Sequence, residues 1–154
     1  MDLAIKLEKN GEAVYRDAID KISNPGLVVL LEWMADEEAK HANWFAELKL
    51  KLDQEGVNPF MEKMSRELFN DLLGDKNFSL KDVDFSSVSD IEELISIFIE
   101  FEKDSIRFYE ILEPFIEDPL SLDSLKEIID EENRHINRLL ELMGRQEVLT
   151  TLSE

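Results

Sequence analysis

Cysteine is absent from the 154 residues, which excludes disulfides, thiol catalysis, zinc-finger sites and any iron–sulfur cluster built by this chain. With only 5 glycines and 4 prolines, there is too little punctuation for a fold of many short strands, and strand-like alternation is hardly visible. Long hydrophobic runs are also missing. The longest, LVVLL at 27–31, cannot span a bilayer, and MDLAIKLEKN at the start has no basic segment followed by an apolar core. Positive charge is short as well: 17 Lys and Arg face 36 Asp and Glu, for a formal charge of -19. That balance repels phosphate backbones and anionic lipid, so neither nucleic acid nor membrane is expected as a partner, and cations are the natural ligands. A soluble, cytoplasmic protein is expected.

The residues that are present point to helices. A 44% hydrophobic and 34% charged composition, with Glu, Lys, Leu and Ile recurring at helical intervals, predicts one all-helical domain over 1–154. Asp2 can cap a first helix running to about Ile22, where SNPG stops it. A second covers about 27–52, ending near Gly56. Asn58 and Pro59 open a short amphipathic helix closed by Gly74, and 75–89 reads as loop. Ser89 and Glu92 form a capping box for a third long helix that weakens around Pro114. The fourth runs from about Leu122 to Met143, with Gly144 at its end. Two antiparallel hairpins, about 2–52 and 90–143, are thus joined by a crossover of about 53–89, as in a four-helix bundle with one long connection.

The chain repeats itself. The offset that carries Glu8 onto Glu102 also carries Tyr15 onto Tyr109, Pro25 onto Pro119, Glu37 onto Glu131, Glu38 onto Glu132 and His41 onto His135. On a helical wheel Glu8 lies among Ala4, Ile5, Gly11 and Tyr15, Glu38 among Leu31, Met34 and Phe45, Glu102 among Ile95, Phe98 and Ile106, and Glu132 among Leu125, Ile128 and Leu139. Four carboxylates therefore face one core, where each needs a proton, a cationic partner or a metal. Each of the only two histidines follows a glutamate by three residues, which puts both side chains on one helical face. Two such pairs plus one Glu from each remaining helix make the ligand set of a carboxylate-bridged dinuclear site. A lone E-x-x-H on a Glu-rich helix would read as a surface feature; the common offset of all six residues favours the metal site.

LEKNGEAVY, DEEAKH, FEKDSIRFY and DEENRH resemble the ferritin-like di-iron carboxylate superfamily, particularly the rubrerythrin-like family. The resemblance implies that Glu38 and Glu132 bridge two metals, that His41 and His135 bind one each, and that Glu8 and Glu102 are outer carboxylates. It implies two iron ions, with manganese or zinc able to occupy the same ligands. It also implies a non-haem di-iron oxidoreductase reacting with dioxygen or peroxide and supplied by an external electron donor, and it makes a homodimer plausible. The alternative is a non-catalytic protein that binds, stores or senses iron or another transition metal. Peroxide-reducing rubrerythrins usually carry a further carboxylate on the third helix, where this chain has Ser105. Tyr15 and Tyr109, each seven residues after an outer Glu, either hydrogen-bond the ligands or fill the core. Glu37 and Glu131 either orient the histidines or, the favoured reading, lie on solvated helix edges. Glu12 reads as a boundary charge, and Trp33, Trp44, Phe45, Phe98 and Phe108 as packing.

Overall fold

The computed structural model describes residues 1–55 and 91–151, together with the helical positions Lys63 and Glu67. Four long helices account for nearly all of this: α1 Asp2–Ile19, α2 Pro25–Glu55, α3 Ile91–Leu112 and α4 Pro119–Thr151, with a 3₁₀ turn at Glu113–Phe115. No strand occurs among the described residues. The all-α ferritin-like bundle is therefore observed. The short helix expected after Pro59, the loop to residue 89 and the Ser89 cap lie outside the described residues, apart from Lys63 and Glu67.

Local chemistry sets the helix ends, and some differ from the sequence expectation. Asp2 is the first helical residue, with Met1 at the cap position before it, and its carboxylate pairs with Lys49 of α2 at 2.6 Å. The first helix stops at Ile19, not Ile22, in a tight turn where Lys21 N–H donates to Ala18 O. The second opens at Pro25 because Asn24 Oδ1 accepts from the backbone of Gly26 and Leu27 at 3.0 and 3.1 Å. The fourth repeats this start: Asp118 Oδ2 accepts from Ser121 N–H at 2.9 Å and Pro119 takes the first helical position. Gly144 does not end α4, which continues to Thr151. A single glycine costs a helix only about 1 kcal/mol, and no proline follows it.

Side-chain contacts fix the topology. Along α1 and α3, Glu8 meets Tyr109 while Tyr15 meets Glu102, so position rises on one helix as it falls on the other. Along α2 and α4, Glu38 meets His135 while His41 meets Glu131 and Glu132. Both pairs are antiparallel, as are the two hairpins, which pack α1 on α2 and α3 on α4. Around the bundle the order is α1, α2, α4, α3, with α2 and α3 parallel on a diagonal. Glu55 and Ile91 therefore lie at opposite ends, which explains why the connection between them is long.

The core is continuous across the four helices. Leu27, Leu31, Met34, Phe45, Ile95, Phe98, Leu125 and Leu139 are fully buried. Tyr15 meets the Phe98 ring edge to face at 5.1 Å, and Phe45 lies against Tyr109 at the same separation. Glu12, on the rim, pairs with Arg16 at 3.0 Å and points away from the acids inside.

Candidate metal centre

Midway along the bundle the apolar core is interrupted by Glu8, Glu38, His41, Glu102, Glu132 and His135, all essentially without solvent contact. Each arrives there from the middle of an amphipathic stripe, so burying the apolar neighbours drags the carboxylate inside. No Lys or Arg is buried among the described residues. Among the described residues the two imidazoles are the only buried cationic groups to set against four acids.

The six side chains form two overlapping groups. Glu8, Glu38, His41 and Glu132 each offer an atom within 4.8 Å of the others, and so do Glu38, Glu102, Glu132 and His135. Glu38 and Glu132 belong to both; each histidine and each remaining Glu belongs to one. Glu132 sits between the two rings, with Oε1 3.1 Å from His41 Nδ1 and Oε2 2.9 Å from His135 Nδ1. His41 Nδ1 lies 3.5 Å from Glu8, and His135 Nδ1 lies 3.5 Å from Glu102 and 3.6 Å from Glu38. The rings are nearly parallel, 6.4 Å apart, and both turn Nδ1 inward.

Hydrogen bonding leaves much of this cluster unsatisfied. Glu8 Oε2, Glu38 Oε1, Glu102 Oε2, both oxygens of Glu132 and both Nδ1 atoms are buried without a hydrogen-bond partner among the described residues. Orphaned buried atoms of this kind are rare and costly, and here all belong to good ligands for divalent ions. In the metal-free chain protons carry the compensation. Burial, reinforced by the neighbouring carboxylates, pushes the Glu8 and Glu38 carboxyls well above the usual range, and burial with the Glu132 charge lifts Glu102 to about 7. Burial works against charge on the histidines, but contact with Glu132 outweighs it and raises His41 to about 9; contact with Glu102 and Glu132 raises His135 to about 10. Burial also opposes charge on Glu132, yet the two imidazoliums hold its carboxyl far below the usual range.

Both tyrosines take part, and they do so crosswise. The Tyr15 hydroxyl donates to Glu102 and the Tyr109 hydroxyl donates to Glu8, each reaching the other hairpin's acid. Burial, together with the charge on Glu102, pushes the Tyr15 hydroxyl well above its ordinary range, so it remains a donor.

Two features escape the sequence reading. Glu131, part-exposed, reaches the site, where its Oε2 accepts from His41 Nε2 at 2.7 Å; Glu37, the more buried of the two, pairs with Lys40 at 2.5 Å. Gly11 brings the α1 backbone against Glu38, so that a Cβ there would sit 3.2 Å from Glu38 Oε2 and 3.0 Å from Phe101 Cε1. The signal for Gly11 was available, since glycine stands on the inward stripe one turn from Glu8 and its repeat mate is also small. That mate, Ser105, is buried and its hydroxyl donates to Phe101 O at 3.1 Å. Trp33, read as packing, stands edge to face on the His135 ring at 4.9 Å.

No described helix is long and apolar enough to cross a membrane. Comparisons with curated proteins and with solved structures return no match. The Rubrerythrin family model matches residues 1–143, more than nine-tenths of the chain, and with its four helices and paired carboxylate–histidine groups the chain belongs to the rubrerythrin family.

Proposed function

We propose that this protein is a non-haem di-iron oxidoreductase. In this reading Glu38 and Glu132 bridge two ions, Glu8 and His41 complete one position, and Glu102 and His135 complete the other. The observation that carries it is the sharing of Glu38 and Glu132 between two otherwise separate ligand groups. Four ionised glutamates also neutralise two divalent cations, which removes the cost of burying them unpaired. Iron held there would supply redox chemistry toward dioxygen or peroxide.

The chain's own residues do the rest. Tyr15 and Tyr109 orient the outer carboxylates and hold a proton beside each of them. Phe45, Phe98 and Phe101 are buried against the two tyrosines and keep bulk water from the acids that those hydroxyls hold. These 154 residues hold no cysteine and so no iron–sulfur cluster, and in this reading reducing equivalents reach the site from a donor outside them.

A second reading, metal binding without turnover, is favoured by Ser105, which stands where peroxide-reducing relatives carry a further carboxylate. Anaerobic loading with ferrous iron, followed by dioxygen or peroxide in the presence of a reductant, separates the two. Repeated oxidant consumption with two irons per chain supports the enzyme. Stable occupancy without turnover supports the binder. No bound transition metal after reconstitution overturns both.

A further inference from the structure

The repeat that builds the site is broken around the histidines, on the side facing away from the carboxylates. His41 Nε2 donates to Glu131 Oε2 at 2.7 Å, and the other oxygen of Glu131 is held by Arg134 at 3.1 Å. By the repeat, Glu37 should serve His135 in the same way. It does not: Glu37 lies with Glu131 within 4.8 Å of His41, and pairs with Lys40. His135 Nε2 is buried with no hydrogen-bond partner among the described residues, and the Trp33 indole stands against its ring. The repeat mate of Trp33 is Glu127, an exposed residue, so the indole on His135 is not repeated from the equivalent position of the other hairpin.

From this asymmetry we infer that the two metal positions are unequal, and that Glu131 makes the His41 position the one that fills first with a divalent transition-metal ion. The inference rests on the dinuclear reading above and assigns Glu131 as a positioning residue that never touches the ion. Once an ion displaces the Nδ1 proton, a carboxylate accepting from Nε2–H fixes the tautomer with the Nδ1 lone pair facing inward, and makes that nitrogen a stronger donor. Partners of this kind are worth roughly 10- to 100-fold in metal affinity. Among the described residues His135 has no such partner, and packing against Trp33 sets its ring angle. Two hairpins that repeat the same ligand set therefore build a strong and a weak position.

Repulsion between two ions would also separate two binding steps, so the order of filling is what must be observed. These two histidines are the only ones in the chain, and their ring nitrogens can be followed one by one by ¹⁵N NMR during titration with Zn²⁺. With one equivalent, the Nδ1 resonance of His41 should shift while that of His135 stays near its metal-free position; the second equivalent should move His135. Glu131→Gln should weaken the first step roughly 10-fold or more and make the two rings respond together, whereas Glu37→Gln should keep the wild-type order. Urea unfolding of the metal-free Glu131→Gln protein, expected close to wild type, shows that the fold is intact. Parallel shifts in the wild type, His135 filling first, or equal effects of the two Gln variants would overturn the inference while leaving the dinuclear site standing. Absence of any Zn²⁺-dependent shift at either ring would overturn the site itself and the inference with it.

Discussion

Tyr109 on α3 donates its hydroxyl hydrogen bond to Glu8 on α1, and through it the second hairpin holds a carboxylate that the first hairpin carries. Tyr15 and Glu102 repeat the relationship in the opposite direction. The two hairpins are thereby tied together at the level of the buried acids.

That tie predicts the effect of removing either hydroxyl. Tyr109→Phe leaves a buried Glu8 oxygen without its donor, and Tyr15→Phe does the same to Glu102. Each should destabilise the metal-free protein by about 1–2 kcal/mol, the usual cost of an unmet buried polar group. Each should also weaken metal binding roughly 10-fold, because an outer ligand loses its orientation. Urea unfolding and competition with a chelator measure the two effects. Unchanged values in both would mean that the tyrosines only fill space.

The sequence carried much of this arrangement for a definite reason. Glu8, Glu38, Glu102 and Glu132 lie on apolar stripes, so the 3.6-residue period alone turns them inward, and the repeat supplied the pairing of hairpins. What it did not carry depends on distances between helices. The sequence could place Tyr15 on the face of Glu8, but not show that its hydroxyl crosses to Glu102. Glu37 and Glu131 occupy identical repeat positions, and only the packing of α2 on α4 decides that Glu131 reaches a histidine while Glu37 turns to Lys40. Helix ends slipped for local reasons: Asn24 and Asp118 bind backbone N–H groups and start α2 and α4 earlier than the apolar pattern implies.

Protonation makes the metal-free protein sensitive to pH in a predictable direction. Glu8, Glu38, Glu102, His41 and His135 all hold protons more tightly when folded than when unfolded, so their contribution to stability falls as pH rises. For the carboxyls it is fully present below the ordinary 4.5, and for Glu102 it is lost through about 7. For the histidines it is fully present below 6.5 and lost as pH rises through about 9 and about 10. Glu132 has the opposite sign, and its contribution is lost in acid. The urea midpoint of the metal-free protein should therefore drop between pH 6 and pH 10. Because bound metal replaces these protons, loading at pH 7 should release them, and calorimetry in buffers of different ionisation enthalpy counts them. A midpoint that rises toward pH 10, or loading without proton release, would contradict this account.

If Glu38 and Glu132 bridge, their loss should cost both ions. Glu38→Ala and Glu132→Ala are expected to bind well under one metal per chain, whereas His41→Ala should retain the position built by Glu102 and His135. Metal content after dialysis against a fixed free-ion concentration decides between these outcomes. Full two-metal occupancy in either Glu variant would fail the bridging assignment. Circular dichroism of each variant checks that the bundle has formed.

Gly11 offers a test that changes no ligand. By helix propensity alone, Gly11→Ala should stabilise α1 by about 1 kcal/mol. The added Cβ would stand 3.0 Å from Phe101 Cε1 and 3.2 Å from Glu38 Oε2, closer than either tolerates without moving. Phe101 is packed against Tyr15, so the Glu38 carboxylate is the freer of the two and should swing away from the place it shares between both ligand groups. Gly144→Ala provides the reference, because its Cβ would meet nothing within 4 Å and the same gain of about 1 kcal/mol should appear without interference. Chelator competition should then show metal affinity reduced roughly 10-fold or more in Gly11→Ala and unchanged in Gly144→Ala. Wild-type affinity in both would mean that the α1 backbone has room to yield, and that the close approach at Gly11 is no constraint on Glu38.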